Sequence, residues 1–553
     1  MRIVFAFIFA FVQCFLVAQN NKDYPQKDFV LPFEGKNEII GTFCELRPNH
    51  FHGGLDIRTN AQIGRHVLAI ADGYVSRINI STTGYGKALY ITHKNGYTSV
   101  YAHLNDFPEK IKWYIIQNQY LKKTFEIELF PEVDLIQVKQ KEMVAYSGNT
   151  GGSQGPHLHF EIRDTKTEEP VNPLLFGLFM RDVLPPAIQS VFLYQKDSLA
   201  KLQNGHYPNI TLNAKLSVFN LKYGTYAFGA FLKDFATSMG YNNGVNYIEI
   251  LKNNEPFYHC QIERFSFDKN RMFNNYIDYE KYKSNGSKIH KLFIDDGCSF
   301  DFWQVSKTDG WFIVSDSVPV VFTLIAKDMY GNKKEKKITI IGNQIKGTLV
   351  SSFLSYSRTQ TICYRNKENK ISLGKDCEVL FPVFSFYSDY KLPYSRNSNS
   401  SITIGSPKVP IDKRAEIKWL LTNDQRRNAD KYTLCLSNGK AIMGELKDNY
   451  LSTKVKELGS YYLTIDTIPP TIKPMSLNKN GYFSFIVNDN LSGISHFDFY
   501  INDVWVLLEY EYKNKMIYGK IPNKLDKGKH IIKLIVTDNK QNKTEFLKTI
   551  DIP

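Results

Sequence analysis

The sequence predicts a mainly β protein of several domains, on three observations. At 553 residues the chain is too long for one hydrophobic core, and ordinary domain sizes divide it into three or four units. Aromatic residues reach 14%, with 34 Tyr and 38 Phe, a composition that suits half-buried pleated strands better than helix surfaces. Alternating apolar segments punctuated by turn residues recur along most of the length.

The first element is a leader. In MRIVFAFIFAFVQCFLVAQ, Arg2 precedes an uninterrupted apolar run that ends in small or polar residues near Ala18, so residues 1–19 read as a secretory signal peptide cleaved near Gln19. The competing reading is a single membrane anchor, but the run is near the lower length limit and no basic stop-transfer cluster follows. Cys14 is preceded by Phe11-Val12-Gln13, which lacks the small residue that lipoprotein processing needs. No later stretch approaches the roughly 20 apolar residues of a transmembrane helix. The expected destination is the periplasm or cell envelope, with no span in the mature chain.

Beyond Cys14, Cys44, Cys260, Cys298, Cys363, Cys377 and Cys435 are scattered and form no disulfide framework, with Cys260–Cys298 and Cys363–Cys377 the nearest pairs. The net charge of +14 is spread thinly, in short groups such as Lys333-Lys334 and Lys336-Lys337, and reads as a solvated surface. With no basic helix and no recognition motif, nucleic acid is not an expected partner.

Residues 20–181 form the first unit, rich in glycine and holding most of the twelve histidines. After Asp182 long alternating strands take over. Asp182-Val183-Leu184-Pro185-Pro186 reappears as Asp466-Thr467-Ile468-Pro469-Pro470. Asp234 with Asn243-Gly244-Val245 parallels Asp489 with Ser492-Gly493-Ile494. Leu324-Ile325-Ala326-Lys327-Asp328 matches Leu534-Ile535-Val536-Thr537-Asp538, each followed at one offset by Asn332 or Asn542. Residues 182–343 and 466–553 are therefore expected to be two copies of one β-sandwich module, the first swollen by insertions. They resemble immunoglobulin-like domains, a likeness of pattern that carries no activity. Between them, 344–465 reads as another β-rich domain, with a strand from Cys377 to Tyr387 and a hairpin at Asn438-Gly439.

Chemistry concentrates in the first third. His52-Gly53-Gly54-Leu55-Asp56 sets an imidazole and a carboxylate four residues apart, with glycines that let backbone fold closely round an ion. In Pro156-His157-Leu158-His159-Phe160-Glu161 strand alternation sends His157 and His159 to one face and Leu158 and Phe160 to the other. Tyr101-Ala102-His103-Leu104 closes a hairpin running from Lys87 through an Asn95-Gly96 turn. Two His and one Asp satisfy a catalytic zinc site that keeps a fourth position open, and a neighbouring imidazole titrates in the right range to handle protons.

HxxxD at His52 and Asp56, YAHL at His103, and SGNTGGSQGPHLHFEIRD from Ser147 to Asp164 together resemble the lysostaphin-type, or LytM-type, zinc endopeptidases over roughly residues 41–173. The resemblance implies a compact antiparallel β-sheet peptidase domain (the duplicated hybrid motif fold). It also implies one Zn2+ held by His52, Asp56 and His159, and His103 and His157 as the catalytic pair. The implied substrate is the peptide part of cell-wall peptidoglycan, with D-alanyl to diaminopimelyl cross-links as the implied target. The chain also resembles a Bacteroidetes-like subgroup that shares its GTF(x)ELRPNHFH opening and β-rich C-terminal modules, which would offer surfaces to protein partners.

Departures from the pattern are Lys141 and Ala145 where glycine is usual, from which an altered turn is expected, and Cys44, also often glycine, expected as a small buried residue. An insertion at about 106–137, with a helix over Pro108 to Leu121, is expected beside the groove, where it could shape access. Glu161 is read as a supporting residue, and His50 as structural or groove-lining. His66, His93, His206, His259, His290, His496 and His530 are read as structural or solvated. The glycine-rich 148–155 loop lacks the lysine of a phosphate cradle, and no HExxH or GxSxG occurs. The alternative to an enzyme is a non-catalytic LytM-like wall-binding protein or amidase activator; retention of all five residues favours the enzyme.

Overall fold

The computed structural model describes residues 24–178, 180, 182–235, 243–305, 308–343, 359–475, 482–520 and 525–552. The leader expected at 1–19 lies outside these. Among the described residues no helix is long and apolar enough to cross a membrane. The chain is mainly β, as its aromatic alternation predicts.

A nine-stranded antiparallel sheet dominates the first third. Its strands run in the order Ile39–Gly41, Leu55–Arg58, His157–Asp164, Tyr97–Leu104, Lys87–His93, Gly73–Ile80 and Gln137–Val138, with two short strands at its sides. Gly96 takes φ +85° in the hairpin turn, a conformation that favours glycine. The His157–Asp164 strand is central, flanked by Leu55–Arg58 and Tyr97–Leu104. Its Leu158, Phe160 and Ile162 are fully buried against Leu55, Ile57 and Tyr101 below. His157 and His159 therefore point to the other face, and register sets His159 opposite Asp56. Gly54 allows this approach, since a Cβ there would stand 2.3 Å from the Phe160 carbonyl.

The insertion forms the helix Glu109–Lys122, which buries Ile111, Ile115 and Gln119 and stops at Lys123 in a left-handed conformation. No residue of 106–137 lines the groove above the histidines, so the expected position beside the groove is corrected. Tyr120 on this helix meets Trp505 of the last module instead, ring centroids 5.4 Å apart. At the turn where an alteration is expected, Lys141 adopts φ +68° without glycine, and the strand that follows has a register irregularity between Met143 and Ala145. Cys44 is likewise left-handed at φ +61°, and buried. All six described cysteines are unpaired, so neither nearest pair forms a bridge.

Further along, a five-stranded and a six-stranded sheet use strands from Ala187–Gln195 to Lys333–Asn343, with short helices between them. Six- and five-stranded sheets follow from Thr359–Cys363 to Gly459–Ile465. Here the expected strand from Cys377 stops at Phe381, and Asn438-Gly439 joins Tyr432–Leu436 to Ala441–Ile442. Two four-stranded sheets from Thr471–Pro474 to Lys543–Ile552 close face to face over Phe485, Phe499, Ile517 and Leu534.

The first sheet and the one after it share one continuous apolar core. Phe51, next to His52, is held in a nest of Phe265, Phe273, Tyr276, Phe300 and Phe302, at centroid distances of 5.1–6.1 Å.

Candidate metal centre

His52, Asp56 and His159 converge on one point of the sheet's upper face. His52 Nε2 lies 3.1 Å from Asp56 Oδ1 and 2.9 Å from His159 Nδ1, and His159 Nδ1 is 3.0 Å from Asp56 Oδ1. All three are buried. His103 and His157 stand alongside, their ring centroids 4.9 Å apart and His103 5.9 Å from His159. The five residues singled out in the sequence thus form one constellation.

The second nitrogen of each converging ring is already committed. His52 Nδ1 donates to the Thr42 carbonyl at 2.7 Å, and His159 Nε2 donates to Glu161 Oε1 at 2.8 Å. When both rings are neutral their inward nitrogens are acceptors facing a third acceptor on Asp56, and in the metal-free protein the proton that His159 takes up lies among them. Three lone pairs this close repel unless a positive charge lies among them. Zinc bonded at 2.0–2.1 Å in a tetrahedron needs ligand atoms about 3.3 Å apart, so these side chains fit the ion after a small outward shift. A further orphan points the same way: His157 Nε2 is buried without a hydrogen bond, 3.3 Å from Asp56 Oδ1.

Charge around the point is tightly arranged. Burial opposes ionisation of Asp56, yet His52, His157 and His159 hold its carboxyl well below the usual range. Burial disfavours a charged His159 too, but Asp56 and Glu161 bonded to it carry the ring up to about 9. Burial, reinforced by His159 and His157, drives His103 down to about 3, so it is neutral near pH 7. His103 Nδ1 donates to the Thr150 carbonyl at 2.8 Å, leaving Nε2 as its free base. His157 Nδ1 is anchored 2.8 Å from the Gly155 carbonyl and 3.2 Å from Ser153 Oγ.

Several supporting groups escaped the sequence reading. Arg47 binds Asp56 Oδ2 and, at 3.0 Å, Glu45 Oε2. It lies in the stretch quoted above, but a lone arginine carries no periodic signal. Glu161, expected in a supporting role, accepts from Tyr85 OH at 2.5 Å and Arg163 Nε at 2.6 Å besides His159. The constellation opens into a groove of about 1240 Å³ whose lining includes His50, Tyr85 and Gln154. Phe267, Asn270 and Lys288 join that lining from the following module. Lys513, from the last module, donates to the Asn149 and Ser153 carbonyls of the glycine-rich loop. No local pattern links residues so distant. His93, by contrast, is structural: its nitrogens pair with the Asp72 carbonyl and Ser99 Oγ.

An antiparallel sheet here aims two imidazoles and a carboxylate at one point, with two more imidazoles beside an open groove, an arrangement that can hold one divalent ion. Residues 50–124 and 135–173 match the model of peptidase family M23. Cell division protein DipM of Caulobacter vibrioides is 30% identical over 151 residues, covering 27% of this chain and 20% of that protein. The DD-carboxypeptidase/endopeptidase Mpg of Neisseria meningitidis is 32% identical over 145 residues, 26% of this chain and 27% of that protein. The chain thus spans about a quarter or less of the length of these relatives. Among solved structures, a zinc-containing peptidase from Vibrio cholerae aligns at 24% identity and TM-score 0.21, over 28% of this chain and 41% of that one. Residues 360–466 match a Zu5-like domain.

Proposed function

We propose that this protein is an exported zinc-dependent endopeptidase that hydrolyses peptide cross-links of cell-wall peptidoglycan in the bacterial envelope. The bond between D-alanine and diaminopimelate is the preferred target. The observation that carries the reading is the convergence of His52 Nε2, His159 Nδ1 and Asp56 Oδ1 on one point, with both outer ring nitrogens already spoken for, beside a neutral His103. The M23 match over the same residues supports a peptidase acting on peptidoglycan.

In this reading His52, Asp56 and His159 hold the zinc. The ion would supply Lewis acidity for a substrate carbonyl and make water acidic near neutral pH. His103 Nε2, kept unprotonated by its surroundings, takes the proton from the attacking water. His157, its ring fixed through Nδ1, presents Nε2 at the reacting centre, where it takes up and returns a proton. Arg47 holds Asp56 by its other oxygen, so the carboxylate keeps one oxygen aimed inward. The groove accommodates an extended stem peptide.

Digestion of defined peptidoglycan with mass analysis of the fragments tests this. Cross-linked muropeptides should become monomers, and Asp56→Ala should lose both zinc and cutting. Release of intact stem peptides from glycan would replace the reading with an amidase. Zinc-free protein that binds wall without cutting would make it a non-catalytic relative.

A further inference from the structure

The two modules that repeat the Asp…Pro-Pro motif each gather three carboxylates that the peptidase reading leaves unused. Asp182, Asp234 and Asp328 bring ligand oxygens within 4.8 Å of one another, and so do Asp466, Asp489 and Asp538. Each follows the correspondence noted in the sequence, so the trios occupy equivalent places in two modules.

Their bracing is duplicated in detail. Asp328 Oδ1 accepts from the Tyr330 and Asn332 amides at 2.8 and 2.9 Å, and its Oδ2 accepts from Asn332 Nδ2 at 2.8 Å. Asp538 Oδ1 accepts from the Lys540 and Asn542 amides at 2.7 and 2.9 Å, and its Oδ2 accepts from Asn542 Nδ2 at 2.7 Å. A carboxylate fixed in one orientation by three donors is a prepared ligand, not a mobile surface acid.

A second line of evidence is the oxygens left over. Asp234 is 2% exposed and Asp466 1%, yet Oδ1 of each has no hydrogen-bond partner. Asp489 Oδ1 and Ser492 Oγ are likewise unpartnered in the last module. A buried carboxylate oxygen without a partner is costly, and three carboxylates together more so. Among the described residues, none of the six aspartates forms an ion pair with Lys or Arg. Burial, with Asp182 and Asp328 alongside, pushes the Asp234 carboxyl up to about 7. In the first module Asp182, Asp234 and Asp328 line a small cavity of about 20 Å³ together with Thr42, Phe43 and Asn172 of the peptidase domain.

We propose that each trio is a binding site for a calcium-class divalent cation, the first lying where the peptidase domain meets the next module. The donors are all oxygen, which selects a hard cation over zinc. The first cavity holds about one water-sized sphere, and magnesium, which keeps several waters, is poorly served by so small a space. In the last module buried Lys540 senses Asp466 and Asp538 without pairing to either, so that site should be the weaker.

Calorimetric titration of metal-stripped full-length protein with Ca2+ alone tests the proposal. Two saturable sites are expected, in or near the range of about 0.1–1 mM typical of extracellular calcium modules. Asp234→Asn should remove the first and Asp489→Asn the second. His52→Ala should leave both, which separates this result from the fate of the zinc reading. Ca2+ should raise the melting temperature by roughly 5 °C in the wild type and not in the double variant. Fewer than two sites in the wild type, stoichiometry unchanged in either variant, or Mg2+ bound as tightly as Ca2+ would overturn it. Should a variant misfold by circular dichroism, the wild-type titration alone decides.

Discussion

His103 and His157 stand beside the three converging side chains and are not among them, so either can be removed without deleting a proposed zinc ligand. Alanine at either position should cut turnover at least about 100-fold while zinc content, measured by atomic absorption, stays at one per chain. Glu161 acts through His159: Glu161→Gln should weaken zinc binding by roughly 10–100-fold, because the carboxylate that fixes the ring and raises its basicity is lost. The raised value of His159 also sets a pH signature. Below about 9 the metal-free ring holds a proton that zinc must displace, so zinc affinity should climb with pH and level off above that value. Calorimetry in buffers of different ionisation enthalpy reads the released proton. In the metal-free protein the protonated ring's contribution to stability is fully present below about 6.5 and lost as pH rises through about 9. Zinc-loaded protein should lack that decline.

At the level of strands and turns, what could be read in advance was what depends on neighbours in sequence. The Lys87–His93 and Tyr97–Leu104 hairpin follows from alternation and an Asn-Gly turn, and the shared face of His157 and His159 from a period of two. What could not be read depends on tertiary partners. The Thr42 carbonyl under His52 and the Arg47 contact to Asp56 have no periodicity to betray them. Lys141 shows a local rule overridden, since the surrounding strands hold a left-handed lysine where glycine was expected. The insertion helix formed where its sequence placed it, but Tyr120 turned it toward Trp505 rather than toward substrate. Phe51 is the sharpest case: it is the second of two strand residues just before His52, yet its side chain belongs to the neighbouring module's core. Phe51→Ala should cost about 3–5 kcal/mol in chemical denaturation and lower zinc occupancy with it, because the cavity opens directly behind His52.

For the molecule as a whole, the peptidase sheet is not a free-standing catalytic unit. Its apolar core runs on into the module after Asp182, and its groove takes Phe267, Asn270 and Lys288 from there. A fragment ending at residue 181 should therefore be poorly soluble, whereas one ending at residue 470 should fold, bind zinc and show faster proteolysis within 148–155. Lys513→Ala should reproduce that local cleavage in the full chain. The same lysine bears on the order of events during synthesis. It lies 360 residues downstream of Ser153, so in a chain that emerges amino-terminus first the clasp forms only after the modules between have emerged. Until then the sheet carries its histidines with the loop beside them still unclasped, and the site reaches its final rigidity only once Lys513 has docked.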